Sequence, residues 1–237
     1  MKRTTILFAS TILFPVILFN CLTARGQEAG GMAPELSGPV VAADAAGAES
    51  SNWNGELAGW EFFEINHDFS NSNWFANVYF EHDNIEYRKF DCWYVRTTLG
   101  YKFTKWLKAD VAYDFMQEPD YITHRAVFDL TGTLKQGDLK VSIRERYIHT
   151  WSPEVGQQSD VLRSRLKVQY SIPDSRFRPY LAMEVFTWGD TWKKTRHYVA
   201  TNYTLNDHFE LEAYYLYYTY AGRCPQHILG IGLNMEF

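Results

Sequence analysis

The chain has 237 residues, 46% of them hydrophobic and 17% aromatic, with a formal net charge of −5. That length suits one domain or two small ones. With no basic excess to meet phosphate, nucleic acid is excluded as a partner.

Residues 1–26 read as a secretory signal peptide. Lys2 and Arg3 supply positive charge and the apolar run Ile6–Phe19 follows. Ala24-Arg25-Gly26 then puts small residues at the −3 and −1 positions of a cleavage site before Gln27. The apolar run falls short of the roughly 20 residues of a spanning helix. Cys21 follows Asn20, where a lipoprotein signal wants a small residue, so lipidation is not expected. Cleavage removes Lys2, Arg3 and Arg25 and no acid, taking the formal charge from −5 to −8. Residues 27–52, rich in Gly, Ala, Pro and Ser, read as a flexible linker. Residues 53–237 form the remaining domain. Cys92 and Cys224 stay in the mature chain, where an exported setting permits a disulfide; free thiols are the alternative. No cysteine or histidine group has metal-ligand spacing, so neither metal nor cofactor is expected.

From Trp53 onward the hydrophobic period is two. The blocks are 57–69, 73–85, 90–103, 106–117, 122–134, 138–150, 160–172, 177–188, 192–205, 208–220 and 226–237. Soluble strands average about five or six residues, whereas tilted strands that cross a bilayer need roughly 9–11. Alternation is plain in 162–170, where Leu162, Ser164, Leu166, Val168 and Tyr170 oppose Arg163, Arg165, Lys167 and Gln169. In 106–115, Leu107, Ala109, Val111, Tyr113 and Phe115 oppose Lys108, Asp110, Ala112 and Asp114. In 208–220, Phe209, Leu211, Ala213, Tyr215 and Tyr217 oppose Glu210, Glu212 and Tyr214. Trp74, Trp93, Trp106, Trp151, Trp188 and Trp192 fall at or near block ends, as an interfacial aromatic girdle requires. A soluble secreted sandwich also alternates, but its strands are short and closely spaced.

Connections alternate between short (SNSN, TK, KQGD, PDSR, ND) and longer (NIEYRK, QEPDYI, WSPEVGQQSD, TWGDT, AGRCPQ). That rhythm predicts short periplasmic turns and longer outer loops. Eleven blocks are visible, yet single-chain bacterial barrels have an even number. The reading is therefore an all-β transmembrane antiparallel barrel of about 12 strands, with 10 as the fallback, in the bacterial outer membrane. The last block places Leu229, Ile231, Leu233, Met235 and Phe237 on one face, while Gly230 and Gly232 look inward beside large neighbours. This ending resembles the signal, closed by Phe237, that barrel-assembly machinery reads.

The segments RERY (144–147), RSRLKVQY (163–170), FRPYLAMEVF (177–186), KTRHYVATNYTLNDHFELEAYY (194–215) and HILGIGLNMEF (227–237), with His124-Arg125 before them, resemble the DUF2490 family. These are bacterial outer-membrane-type proteins of unknown function. The resemblance spans roughly Trp53–Phe237 and implies a barrel embedded in outer-membrane lipid; it implies no activity.

With the apolar face toward lipid, the lumen receives Arg96, Arg125, Arg144, Arg146, Arg163, Arg165, Arg178 and Arg196. It also receives Asp110, Asp114, Asp129, Glu184, Glu210 and Glu212. The leading expectation is a structural barrel whose lumen is packed by arginine–carboxylate pairs, since guanidinium forks hold carboxylates bidentately. One alternative is a narrow pore or binding barrel for a small anionic solute, drawn by the arginines. Another is a lipid-modifying enzyme, for which only His149, Ser152 and Glu154, or His124 and Ser142, offer chemistry. No nucleophile motif supports it, and no catalytic residue is assigned.

Overall fold

The computed structural model describes residues 57–85, 89–188, 191–220 and 225–237, with the backbone only for 191–193. The signal peptide and linker expected over 1–52 lie outside the described residues, as does Cys224. Eleven strands follow one another: β1 (Leu57–Asp68), β2 (Trp74–Ile85), β3 (Lys89–Lys102), β4 (Leu107–Gln117), β5 (Ile122–Gln136), β6 (Leu139–Ser152), β7 (Gln157–Tyr170), β8 (Phe177–Trp188), β9 (Thr191–Thr204), β10 (Phe209–Tyr220) and β11 (Gln226–Glu236). Each pairs antiparallel with the next, and β1 closes the barrel against β11.

That closure resolves the parity argument differently from the sequence reading. An up-and-down run of eleven strands brings the first and last together pointing the same way. The seam is accordingly parallel, from Leu57 opposite His227 to Asn66 opposite Glu236. The eleven blocks are the eleven strands, and among the described residues no twelfth is inserted. The Phe237 amide extends the seam by donating to the Asn66 carbonyl at 2.9 Å.

We call the rim where the chain ends at Phe237 the lower rim. Its connections are 69–73, 103–106, 137–138, 171–176 and 205–208; those of the upper rim are 86–88, 118–121, 153–156, 189–190 and 221–225. The expected contrast in length is absent, because the strands continue through the segments read as long loops. WSPEVGQQSD, for example, gives Trp151 and Ser152 to β6 and Gln157–Asp160 to β7.

Outward positions are mostly apolar. Val111, Leu181, Val199 and Ile231 are between 55% and 61% exposed. A belt of that kind around a whole circumference fits a bilayer and not water. Trp74 and Trp106 are exposed at the lower rim, and Trp93 and Trp151 sit outward near the upper rim against Phe115 and His149. Trp188 departs from the expected girdle. It turns inward and packs on Val127, Ile148, Val161 and Phe186. The Trp192 side chain lies outside the described residues. Polar exceptions on the outer wall are partnered: Glu61 with His82 at 3.0 Å, Asp160 with Tyr147 at 2.6 Å, and Glu145 with Ser164 at 2.5 Å.

The inward glycines leave room for rings. A Cβ on Gly230 would strike the Tyr214 ring, and one on Gly232 the Phe62 ring. Gly230→Val is therefore expected to destabilise the barrel by about 1–3 kcal/mol through overpacking. Urea unfolding followed by tryptophan fluorescence checks this. Adding Tyr214→Ala should recover part of the loss, and an unshifted midpoint in the single variant would show that the ring simply swings aside.

Candidate functional site

Strand register builds a belt of charge across the inner wall from β3 to β9. Asp114 sits between Arg96 on one side and Arg125 on the other. Asp129 neighbours Arg146, which neighbours Arg163. Glu184 lies between Arg165 and Arg196. Because side chains alternate along each strand, one or two inward charges per strand at matching height suffice to assemble this belt.

Two of the pairs are bidentate. Arg96 grips Asp114 at 2.6 and 2.7 Å, and Arg146 grips Asp129 at 2.7 and 2.6 Å. Glu184 is different. Arg163 approaches it at 2.6 Å, Arg144 at 3.3 Å, Arg165 at 3.5 Å and Arg196 at 4.0 Å, and the Tyr198 hydroxyl donates to it at 3.2 Å. One carboxylate cannot meet four forks. The Nε of Arg144 is buried without a hydrogen-bond acceptor, and that of Arg165 has only the 3.5 Å approach to Glu184. Seven arginines of the belt thus face three acids, and the surplus is positive.

The belt looks onto a cavity of about 490 Å³. Its opposite wall is aromatic, with Trp60, Phe62, Tyr79 and Tyr214. Toward the lower rim it is lined by Lys108, Asp110, Lys140, Lys167, Gln169, Arg178, Glu210, Glu212 and Glu236. The upper third of the lumen is packed shut. Val127, Ile148, Val161 and Phe186 fill one side, and Ala58, Leu216, Tyr218 and Ile228 the other. Lys194, itself fully buried, lies 4.5 Å over the Phe186 ring and 5.5 Å over that of Tyr218, bridging the two clusters. In the upper connection 118–121, Glu118 accepts a hydrogen bond from Thr123 at 2.9 Å. Burial pushes its carboxyl above the ordinary range, and the charge of Asp91 adds to the push.

All the expected lumen residues face inward, but they divide. Arg96, Arg125, Arg144, Arg146, Arg163, Arg165, Arg196, Asp114, Asp129 and Glu184 form the belt. Asp110 lines the cavity below it. Glu210 and Glu212 stand lower, and only one of them finds an arginine: Glu210 pairs with Arg178, whereas Glu212 takes its hydrogen bonds from Tyr180 at 2.7 Å and Asn202 at 3.3 Å. Sequence reasoning missed Glu64, Glu81, Asp83 and Lys194. The enzyme reading loses its geometry. His149 points outward to Asp160 at 2.9 Å, while Ser152 on the same strand is buried inside, 2.7 Å from Thr123. His124 likewise faces outward to Tyr113 at 2.7 Å, and Ser142 lines the lumen.

Several solved structures are similar to this chain. The NanC porin is 16% identical with a TM-score of 0.53, over 76% of this chain and 98% of its own. The KdgM porin is 13% identical with a TM-score of 0.45, over 65% of this chain and 81% of its own. A loop-deleted OmpT, an outer-membrane protein of Vibrio cholerae, is 12% identical with a TM-score of 0.45, over 70% of this chain and 59% of its own. A search of curated protein sequences finds no match. The fold is a porin-like transmembrane β-barrel. Residues 57–223 match the family described as "protein of unknown function (DUF2490)", and the chain belongs to that family.

Proposed function

We propose that this is a bacterial outer-membrane barrel that holds a small anionic solute in a chamber open toward the periplasm. The signal peptide expected over residues 1–26, the apolar outer wall and the porin-like fold support the location. Phe237, 58% exposed at the lower rim, is available to barrel-assembly machinery. One observation carries the anion reading: around Glu184 four arginines share one carboxylate, so their N–H donors outnumber the acceptors. Cations in excess of their acceptors are costly to hold together, and an anion entering the cavity meets the partly exposed guanidinium groups of Arg144 and Arg165.

Titration calorimetry on protein purified in detergent tests the proposal, with phosphate and citrate as probes and glucose as the neutral control. Binding is expected for the anions alone, weakening with ionic strength and falling at least tenfold in Arg144→Gln or Arg165→Gln. The rival reading is a purely structural barrel, favoured by the packed upper third of the lumen. It predicts no anion binding under any condition, and that result would end the proposal.

A further inference from the structure

Near the upper rim the ladder between β2 and β3 is irregular. Asp83 pairs with Cys92 and Asn84 with Phe90, so Asp91 is an extra residue bulged out of register. In a regular strand Asp91 and Cys92 would point to opposite faces. Here they do not. A carboxylate oxygen of Asp83, one of Asp91 and the Cys92 Sγ all lie within 4.8 Å of one another. The Cys92 thiol donates to Asp83 Oδ2 at 3.4 Å. Asp83 is 7% exposed and Cys92 6%, yet Asp83 Oδ1 has no hydrogen-bond partner. Burying an unmet carboxylate oxygen is expensive, and bulges gather at sites where a side chain must be re-aimed.

We propose that Asp83, Asp91 and Cys92 bind a thiophilic divalent transition-metal ion of the zinc class. The donor set selects it. Calcium and magnesium want six or more oxygens, whereas a thiolate with two carboxylates suits tetrahedral zinc with water in the fourth place. Zinc bonds of about 2.3 Å to sulfur and about 2.1 Å to oxygen give a tetrahedral S···O edge of about 3.6 Å. The Cys92–Asp83 separation of 3.4 Å is close to that edge. Asp91 completes the site by a small side-chain rotation. Cys92 releases its thiol proton to solvent on binding. The bound ion ties β2 to β3 at the bulge and neutralises the clustered acids there.

The test uses detergent-purified protein under reducing conditions, with zinc chloride in calorimetry and cobalt(II) as the spectroscopic probe. One zinc per barrel is expected, with no competition from magnesium or calcium at tenfold excess. Cobalt should show a thiolate charge-transfer band. Cys92→Ser should abolish that band, and Asp83→Asn and Asp91→Asn should each weaken zinc at least tenfold. Cys224→Ser should leave both readouts unchanged. Heat-modifiable gel migration establishes that each variant is folded. The absence of a charge-transfer band in the unaltered protein overturns the proposal without recourse to any variant. Undiminished zinc binding in folded Asp83→Asn, or its loss in Cys224→Ser, overturns it equally.

Discussion

Glu184→Gln is expected to lower the unfolding free energy of the barrel by about 3–5 kcal/mol, the cost of removing one member of a buried ionic network. Glu184 is fully buried and is approached by Arg144, Arg163, Arg165 and Arg196 from three different strands. The amide keeps the shape and loses the charge. The four guanidinium groups are then left facing one another with no anion between them. Glu212→Gln is the comparison. Its partners Tyr180 and Asn202 are neutral, so the same chemical change strands no cation and costs about 1 kcal/mol, one ordinary hydrogen bond. Urea unfolding of both variants reads the difference. A loss in Glu184→Gln no larger than in Glu212→Gln would mean that water screens the arginines. The anion proposal adds a second expectation. Phosphate binds the folded state of Glu184→Gln more tightly than that of the unaltered protein, so saturating phosphate recovers part of the lost stability by mass action. A packed lumen without an anion site predicts no recovery.

Much of this architecture was legible because one face of several strands is uniformly charged. In β7, Arg163, Arg165 and Lys167 can face only the lumen once Leu162 and Leu166 face lipid, and the structure places them so. In β1 the pattern is silent, since Trp60 and Phe62 look inward while Phe63 and Ile65 look outward. Two apolar faces leave the parity undetermined, and Glu64 went unnoticed between them. Strand number was misjudged for a different reason. Alternation along a strand says nothing of how the ends of a sheet meet, and a parallel seam closes an odd count as readily as an antiparallel seam closes an even one. The Asp83, Asp91 and Cys92 group was invisible because a single bulged residue creates it. Period-two reading assigns Asp91 and Cys92 to opposite faces, and nothing in the local sequence announces the extra residue. Trp188 was misplaced because its position at a block end was read without its parity: it alternates in step with Glu184 and Phe186, both of which face inward.

The upper third of the lumen decides whether solute passes, and there the expected result is a barrel that is silent until it is mutated. Phe186 on β8 and Leu216 on β10 are fully buried on either side of β9, with Lys194 and Arg196 laid across the Phe186 ring at 4.5 and 5.1 Å. A plug of this kind leaves no water-filled path, and its cations Lys194 and Arg196 add an electrostatic barrier to the apolar constriction. In planar bilayers the unaltered protein is expected to pass no steady current. Phe186→Ala should open stepwise conductance by removing the largest fully buried side chain of its cluster and the ring face on which Lys194 rests, at a stability cost of about 3–5 kcal/mol. Leu216→Ala should do so more weakly, at about 2–5 kcal/mol. The open variants should prefer anions, because any ion that passes the plug next meets the arginine belt. Arg163→Gln or Arg165→Gln in the Phe186→Ala background should therefore move the reversal potential toward cation selectivity. Steady current through the unaltered protein would refute the plug. Cation selectivity in the opened barrel would refute the belt as the determinant of what enters, since Asp110, Glu64 and Glu210 would then outweigh it.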